Sequence, residues 1–186
     1  FVERREQLLQ EILQSLDADS RAALALIYMR NGRLESPVKL QLSETQALER
    51  LGSDLGRCIL ALEALRGSLV LFSHASGESA WQFKHPTIGD AYATLLMQSP
   101  EHLDIFIQGS APDRLIDQVT CGDVGLEKAI VVPKSLFPPM LARLREMLQS
   151  RSYKTAWLST FGAKRDLQGF LANRCSKEFL SLYLKD

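Results

Sequence analysis

The sequence lacks the features that mark several large classes of protein. Only three cysteines occur in 186 residues, and their odd number and wide spacing do not suit a disulfide framework. Cys58, Cys121 and Cys175 are therefore expected to be reduced, buried side chains of a cytoplasmic protein. No apolar run approaches the roughly 18 residues of a membrane-spanning helix. The chain opens on helix-like sequence rather than a charged and apolar leader, so we expect no signal peptide and no membrane partner.

Charge of one sign is not in excess either. The chain has 22 basic and 22 acidic residues, a formal net charge of zero and a pI near 7.0. This balance disfavours a strongly basic nucleic-acid surface, although a local patch could survive the average. It also disfavours an acidic interaction tail. Hydrophobic residues make up 46% of the chain, enough at this length for the chain to bury a core of its own.

Motifs for common catalytic and metal chemistries are missing. None of the eight lysines follows a glycine, so a phosphate-binding P-loop cannot be written anywhere. The patterns C-x-x-C, H-E-x-x-H and G-x-S-x-G are absent as well. A Ser/His/Asp set could be drawn with His74, His85 or His102, but their spacing neither supports nor excludes it. We expect no enzyme activity, no metal and no cofactor in this chain.

Helical spacing dominates the first half of the sequence. Residues 3–16 carry apolar side chains at helical intervals, and "RAALALIYMR" is apolar on nearly every side, which predicts a buried helix. Asn31-Gly32 suits the end of that helix. Ser43 and Gln46 predict a capping box for a helix to Leu51, and a further helix is predicted from 54 to 65. Candidate N-caps between the first two helices are Asp17, Asp19 and Ser20.

The strand signals are short and lie between these helices. "RLESPVKLQL" is predicted to be extended, and "SLVLFSH" and "AWQFKH" predict a hairpin across the turn "ASGES". The resulting order is helix, strand, helix, helix, strand, strand, which is the order of a winged helix: a three-helix core with a two-stranded wing. Later segments predict helices over 87–98 and 112–119, a strand or short apolar element at "HLDIFIQG", and a strand over 129–132. They also predict a helix after Pro138-Pro139 and a last helix over 166–184 that breaks near 173–176.

These patterns predict a mainly α fold with small β hairpins (α+β). Residues 1–17 would end a preceding helical region, and 18–98 would form the winged-helix domain. Residues 99–150 would form an α+β linker region. Residues 151–186 would begin a C-terminal helical, repeat-like region.

The stretch "WQFKHPTIGDAYA" carries the strongest candidate site. His85 ends a predicted strand beside Lys84, at the start of a helix whose free amides would attract phosphate. Pro86 suits the first helical turn, and Asp90 is expected to cap amides or bond Thr87. The alternative is a histidine that packs on the next helix and bonds a backbone carbonyl.

Two other segments have competing interpretations. In "CGDVG", Asp123 could bind a cation or cap a helix, but a tight turn in which it bonds its own backbone is preferred. The helix "SDLGRCILALEALRG" would be the groove-reading helix of a DNA-binding winged helix. It offers Arg57 and Arg66 against Asp54 and Glu63, and the rest is mostly apolar. Such a helix lacks the polar face that base reading and phosphate neutralisation require.

Three stretches together resemble a known family. "WQFKHPTIGDAYA", "VTCGDVG" and "FLANRCSKEFLSLYL" look like the region after the nucleotide-binding domain in bacterial STAND-type NTPases of the novel STAND group. In that superfamily a P-loop domain is followed by a helical domain, a winged helix and a sensor or repeat region. The winged helix of relatives ends in an apolar residue, a histidine and an aspartate, and the histidine contacts the β-phosphate of ADP. His85 matches this histidine by position, whereas Pro86 stands at the aspartate and the nearest acid is Asp90.

The resemblance implies a regulatory role rather than catalysis. His85, with Lys84, would sense the phosphates of ADP or ATP bound to a nucleotide-binding domain N-terminal to this chain, and the chain would continue past residue 186. Implied partners are that domain, further copies of the same protein and an unidentified protein trigger, in anti-phage defence or signal transduction. The alternatives are a winged-helix DNA-binding regulator and a protein-interaction adaptor without nucleotide contact.

Overall fold

The structure is a computed structural model that describes residues 2–75, 77–149 and 161–185, with side chains from residue 7 onward and from residue 165 onward in the last range. The described residues form mostly helices, with one three-stranded and one two-stranded sheet. The prediction of a mainly α fold with small β elements is therefore confirmed. The chain divides into two compact units, residues 1–110 and 111–186.

As far as α5, the first unit follows the element order predicted from the sequence. Its helices are α1 (Val2–Ser15), α2 (Ala18–Met29), α3 (Leu42–Arg50), α4 (Leu55–Leu65), α5 (Pro86–Met97) and α6 (Pro100–Gly109). Its strands are β1 (Arg33–Ser36), β2 (Val70–Ala75) and β3 (Glu78–Phe83). The predicted hairpin is thus confirmed, and "RLESPVKLQL" contributes only a four-residue strand.

Local capping chemistry explains where most of these helices begin and end. The Asp17 carboxylate accepts a hydrogen bond from the Ser20 amide at 2.8 Å, and Asp54 accepts one from Arg57 at 2.9 Å. At the end of α2, Asn31 has a φ of 58°, a left-handed conformation that asparagine tolerates. Asp17, one of the three candidate N-caps, and the predicted end of α2 at Asn31-Gly32 are therefore confirmed.

The capping box of α3 differs from the prediction. Gln41 is the N-cap, and the Glu44 carboxylate accepts a hydrogen bond from the Gln41 amide at 2.8 Å. The helix begins one residue before Ser43, so the predicted pairing of Ser43 with Gln46 is wrong. Glu44 forms the capping box in place of Gln46 because it also binds Arg30 at the end of α2. That ion pair fixes the Glu44 carboxylate beside the Gln41 amide.

The sheet of the first unit is antiparallel with β3 in the centre, in the order β1-β3-β2. Trp81 on β3 lies opposite Leu34 on β1 and Phe72 on β2, and the Trp81 and Phe72 ring centroids are 4.7 Å apart. Trp81 and Leu34 are buried and join the core formed by α2 and α4. The sheet therefore anchors the strand-to-helix junction after Phe83 to the core.

Helix α6 replaces a predicted strand. We expected "HLDIFIQG" to be a strand or a short apolar element, but it lies within α6. The Ser99 hydroxyl accepts a hydrogen bond from the His102 amide at 3.3 Å, and Pro100 occupies the first helical turn. Leu103, Phe106 and Ile107 lie on one buried face at helical spacing, so the helix buries them together.

The described residues of the second unit form α7 (Pro112–Gln118), β4 (Val119–Cys121), β5 (Ile130–Val132), a 3₁₀ turn (Lys134–Leu136) and three further helices. These are α8 (Phe137–Gln149), α9 (Phe161–Asn173) and α10 (Lys177–Tyr183). Strands β4 and β5 are parallel. The break predicted near 173–176 is confirmed between α9 and α10, where the Cys121 amide donates to the Arg174 carbonyl at 2.8 Å.

The two units do not coincide with the predicted domain boundaries. We expected 1–17 and 99–150 to lie outside the domain of residues 18–98. Helix α1 packs against α5, and α6 packs against α3 and α5, so both belong to the first unit. Residues 151–160 of the predicted C-terminal region lie outside the described residues. The three cysteines are unpaired and buried, as predicted.

Candidate functional site

Lys84 and His85 form the junction between β3 and α5. The Lys84 amide donates to the Leu69 carbonyl at 2.9 Å, which ties the junction to the residue before β2. The side chains of residues 84–87 are exposed, whereas the next residue, Ile88, is buried in the core. The junction is thus held by its backbone and leaves its polar side chains at the surface.

His85 is the capping residue of α5. Its backbone is extended (φ −144°, ψ 143°), and its Nδ1 accepts a hydrogen bond from the Thr87 amide at 3.3 Å. The same Nδ1 lies 2.9 Å from the Thr87 hydroxyl. The imidazole thus occupies the N-cap position, and the expectation that Asp90 caps amides or bonds Thr87 stays a prediction. Pro86 takes the first helical position, as expected.

The contacts of Nδ1 determine the tautomer of the His85 ring. A backbone amide can only donate, so Nδ1 acts as the acceptor and the neutral ring carries its proton on Nε2. The described residues provide hydrogen-bond partners for Nδ1 alone. The Nε2–H group of this exposed ring can therefore donate to a group outside the described chain. The sequence predicted His85 as the site residue and Thr87 as part of the helix cap, but not that Thr87 contacts the imidazole.

Lys84 has a contact that the sequence did not predict. Its ammonium donates to the Gly67 carbonyl, in the turn between α4 and β2. An ammonium has three protons to donate, so this bond orients the side chain without using its full capacity. Lys84 and His85 are adjacent in sequence, but their side chains are held by different parts of the unit.

Asp90 lies in the first half of α5 and acts on a tyrosine of α2. It is half-buried, and its backbone carbonyl accepts from the Thr94 hydroxyl at 3.2 Å. Burial raises the pKa of Tyr28 to about 12, and the negative charge of Asp90 adds to that shift. Asp90 therefore acts electrostatically on Tyr28 of α2.

The "CGDVG" segment is a turn, as preferred from the sequence. Asp123 Oδ1 accepts a hydrogen bond from the Gly125 amide at 2.9 Å. Gly122 and Gly125 have φ values of 83° and 74°, which glycine adopts without strain. Within the described part of the chain, no group of three or more histidine, cysteine or acidic residues is arranged to hold a metal ion.

Arg57 of α4 and Arg66, which follows its last residue, both contact side chains of the same unit. Arg57 Nε pairs with Asp54 at 2.9 Å, and Arg57 also lies 3.6 Å from Asp19. The Arg66 guanidinium stacks over the Phe72 ring at 5.3 Å. Between the two arginines, Leu60 is 72% exposed. The outward surface of α4 therefore presents an apolar residue flanked by neutralised cations.

Comparisons with known proteins found no matching family model, no matching curated protein and no matching solved structure. Among the helices of the described residues, none combines the length and apolar character needed to cross a membrane.

Proposed function

We propose that this chain is a regulatory region of a STAND-type NTPase and that its first unit is a winged helix. The helices α2, α3 and α4 would be the three-helix core, and the hairpin of β2 and β3 would be the wing. The order of these elements and the antiparallel order β1-β3-β2 support this proposal. The three stretches that resemble the novel STAND group support it independently of the topology.

The exposed Nε2–H of His85 is the observation that carries the functional proposal. In the family that the chain resembles, a histidine at the end of the winged helix contacts the β-phosphate of ADP. His85 follows the central strand, and its ring is held at Nδ1 by Thr87, so its second nitrogen can meet an anion on another domain. A ring that is already oriented loses less conformational entropy when it binds.

The mechanism is a shift between two populations. His85 would donate to the ADP β-phosphate and stabilise a closed state in which the winged helix covers the nucleotide-binding domain. Exchange of ADP for ATP would remove that bond and favour an open state that forms homo-oligomers after a protein trigger. A hydrogen bond to a charged group contributes about 1.5–3 kcal/mol, so its loss would shift the balance about 10- to 150-fold. Anti-phage defence or signal transduction in the cytoplasm would be the setting, without catalysis by this chain.

The test is retention of ADP by a protein that carries this chain together with its nucleotide-binding domain. His85→Ala should release ADP about 10- to 150-fold more readily, measured as nucleotide left on the protein after gel filtration. His74→Ala is the matched control, because His74 is exposed on β2 and, among the described residues, its Nδ1 contacts the Ser79 hydroxyl at 2.7 Å. His74→Ala should leave ADP retention unchanged.

A further variant separates sensing from capping. Asparagine is a good N-cap, so His85→Asn should keep the start of α5 and its thermal stability. Its shorter side chain should no longer reach the ADP phosphate. The proposal predicts that His85→Asn releases ADP as readily as His85→Ala. Restored ADP retention in His85→Asn would reduce His85 to a helix cap, and the lack of Walker A and Walker B motifs N-terminal to this chain would refute the assignment.

The rival functions have less support in the structure. A DNA-binding winged helix needs free basic groups on its recognition helix, whereas Arg57 of α4 is paired with acids and Arg66 lies 3.6 Å from Glu63. Under this proposal, a gel shift at low salt gives no complex. An adaptor role requires a large apolar surface on the C-terminal helices, whereas the exposed large apolar side chains among the described residues there are Leu182 and Leu184 alone.

A further inference from the structure

The first unit contains a cavity that the regulatory proposal does not use. It has a volume of about 370 Å³ and lies among α1, α2, α5 and α6, beside the end of α3. Pockets of about 300–1,000 Å³ are typical of small-molecule sites. Neither Lys84 nor His85 lines the cavity, so an inference about it is independent of the nucleotide-sensing proposal.

The walls of the cavity are apolar. Leu24, Ala25 and Met29 of α2 line one side, and Phe106 of α6 lines another, all buried. Leu96 of α5 also lines the cavity and is buried. Ala25 contributes only a methyl group, which leaves room in front of α2. These walls favour an apolar or aromatic body.

The charge on the lining has one sign. The lining includes Arg21, Arg50 and His102 but no aspartate or glutamate. The Arg50 guanidinium forms an ion pair with the Asp104 carboxylate at 2.7 Å. The exposed side chains of Arg21 and His102 make no hydrogen bond or ion pair with the described residues. A basic group beside an apolar cavity attracts an anion more strongly than it does in open water.

The effect of Arg21 on Tyr92 indicates that the Arg21 charge lies close to the apolar wall. Tyr92 also lines the cavity, and burial raises the pKa of its hydroxyl, while the positive charge of Arg21 acts in the opposite direction. Arg21 is therefore near enough to influence a group inside the cavity, although its own side chain is exposed.

We propose that this cavity binds a small amphipathic carboxylate, with its apolar body against Leu24, Leu96 and Phe106 and its carboxylate at the rim beside Arg21 and His102. Arg21 supplies the main positive charge, and His102 supplies a second donor. The neutral analogue of such a ligand fits the same walls but lacks the attraction between a carboxylate and the Arg21 charge, so it binds more weakly. The site thus selects for an anion on an apolar body.

The test uses two probes of nearly the same size and shape, one anionic and one neutral: naphthalene-1-acetate and naphthalene-1-acetamide. Isothermal titration of the 186-residue chain should show tighter binding of the carboxylate, by about tenfold. Arg21→Gln should weaken carboxylate binding about tenfold and leave amide binding unchanged. Lys39→Gln is the control, because it removes the same charge from an exposed residue that does not line the cavity.

A second pair of variants tests the location. Ala25→Leu fills the cavity from α2 and should abolish binding of both probes, provided that circular dichroism shows a folded chain. If Ala25→Leu does not fold, Ala18→Leu replaces it, because Ala18 is half-buried at the edge of the cavity. Equal affinity for the two probes, no effect of Arg21→Gln, unchanged binding in the cavity-filling variant, or no binding of either probe by the folded chain would each overturn the proposal.

Discussion

At the scale of single residues, one ion pair joins several parts of the first unit. The Arg30 guanidinium donates to both Glu44 oxygens at 2.7 Å and to the Lys39 carbonyl at 2.6 Å. The side chains of Arg30 and Glu44 are only 13% and 7% exposed. The hydrogen bond to Glu44 raises the pKa of Arg30. The pair links the end of α2 to the start of α3 and to the segment before it.

Removal of Arg30 should destabilise the first unit strongly. Arg30→Ala leaves the Glu44 carboxylate buried without its counter-charge, and such a loss costs about 3 kcal/mol. Urea unfolding followed by circular dichroism measures the change. Arg33→Ala is the comparison, because Arg33 pairs with the exposed Glu78 at 3.6 Å and its loss should cost less than about 1 kcal/mol. Equal effects of the two variants would show that the buried pair contributes little.

At the scale of elements, the contact of α6 with α2 and α3 depends on a residue without a side chain. A Cβ on Gly109 would lie 2.7 Å from the Ala47 Cβ and 2.8 Å from the Met29 sulfur. The Met29 side chain can move, but the Cβ of Ala47 is fixed to the backbone of α3. Gly109 therefore allows the end of α6 to approach α3 closely.

Substitution of Gly109 should consequently separate α6 from α3. Gly109→Ala is expected to cost about 1–3 kcal/mol, because the added methyl group overpacks the contact. Gly169→Ala is the control, since nothing lies within 4 Å of its added Cβ. That control should stabilise α9 by up to about 1 kcal/mol. Thermal unfolding of both variants measures the difference, and a stable Gly109→Ala would contradict the close packing described.

At the scale of the whole molecule, the first unit has an internal core. Helices α2 and α4 and the sheet bury apolar side chains from Leu13 to Ala91 in one cluster. The second unit has separate aromatic packing, with the Phe137 and Phe179 rings 5.1 Å apart. A unit with its own core has the means to fold alone.

Residues 1–110 should therefore fold without the rest of the chain. Trp81 is buried in that core and is the tryptophan of the first unit, so its near-ultraviolet circular dichroism reports native packing. We expect residues 1–110 to retain that signal and to lose it in one cooperative urea transition. Absence of the signal, or a gradual transition, would show that residues 111–186 are needed for the first core.

The candidate site was partly predictable from the sequence. The position of His85 at the start of a helix followed from Pro86 and from the strand before it, because both signals are local. The roles of Lys84 and Asp90 were not predictable in the same way. Lys84 binds a carbonyl 17 positions earlier, and Asp90 acts on Tyr28 from the next element in space.

The sequence by itself determined the helices that have caps and long apolar stripes, the hairpin, and the turns at Asn31-Gly32 and "CGDVG", because their hydrogen bonds join residues close in the chain. Only the tertiary structure decided that "HLDIFIQG" is a helix, since a short apolar run suits either a strand or a helix until its neighbours are known. It likewise decided that the three residues of β4 form a strand, because β4 pairs with β5 and meets Cys175 far along the chain. Glu44 rather than Ser43 governs the start of α3 for the same reason: its partner, Arg30, lies on another helix.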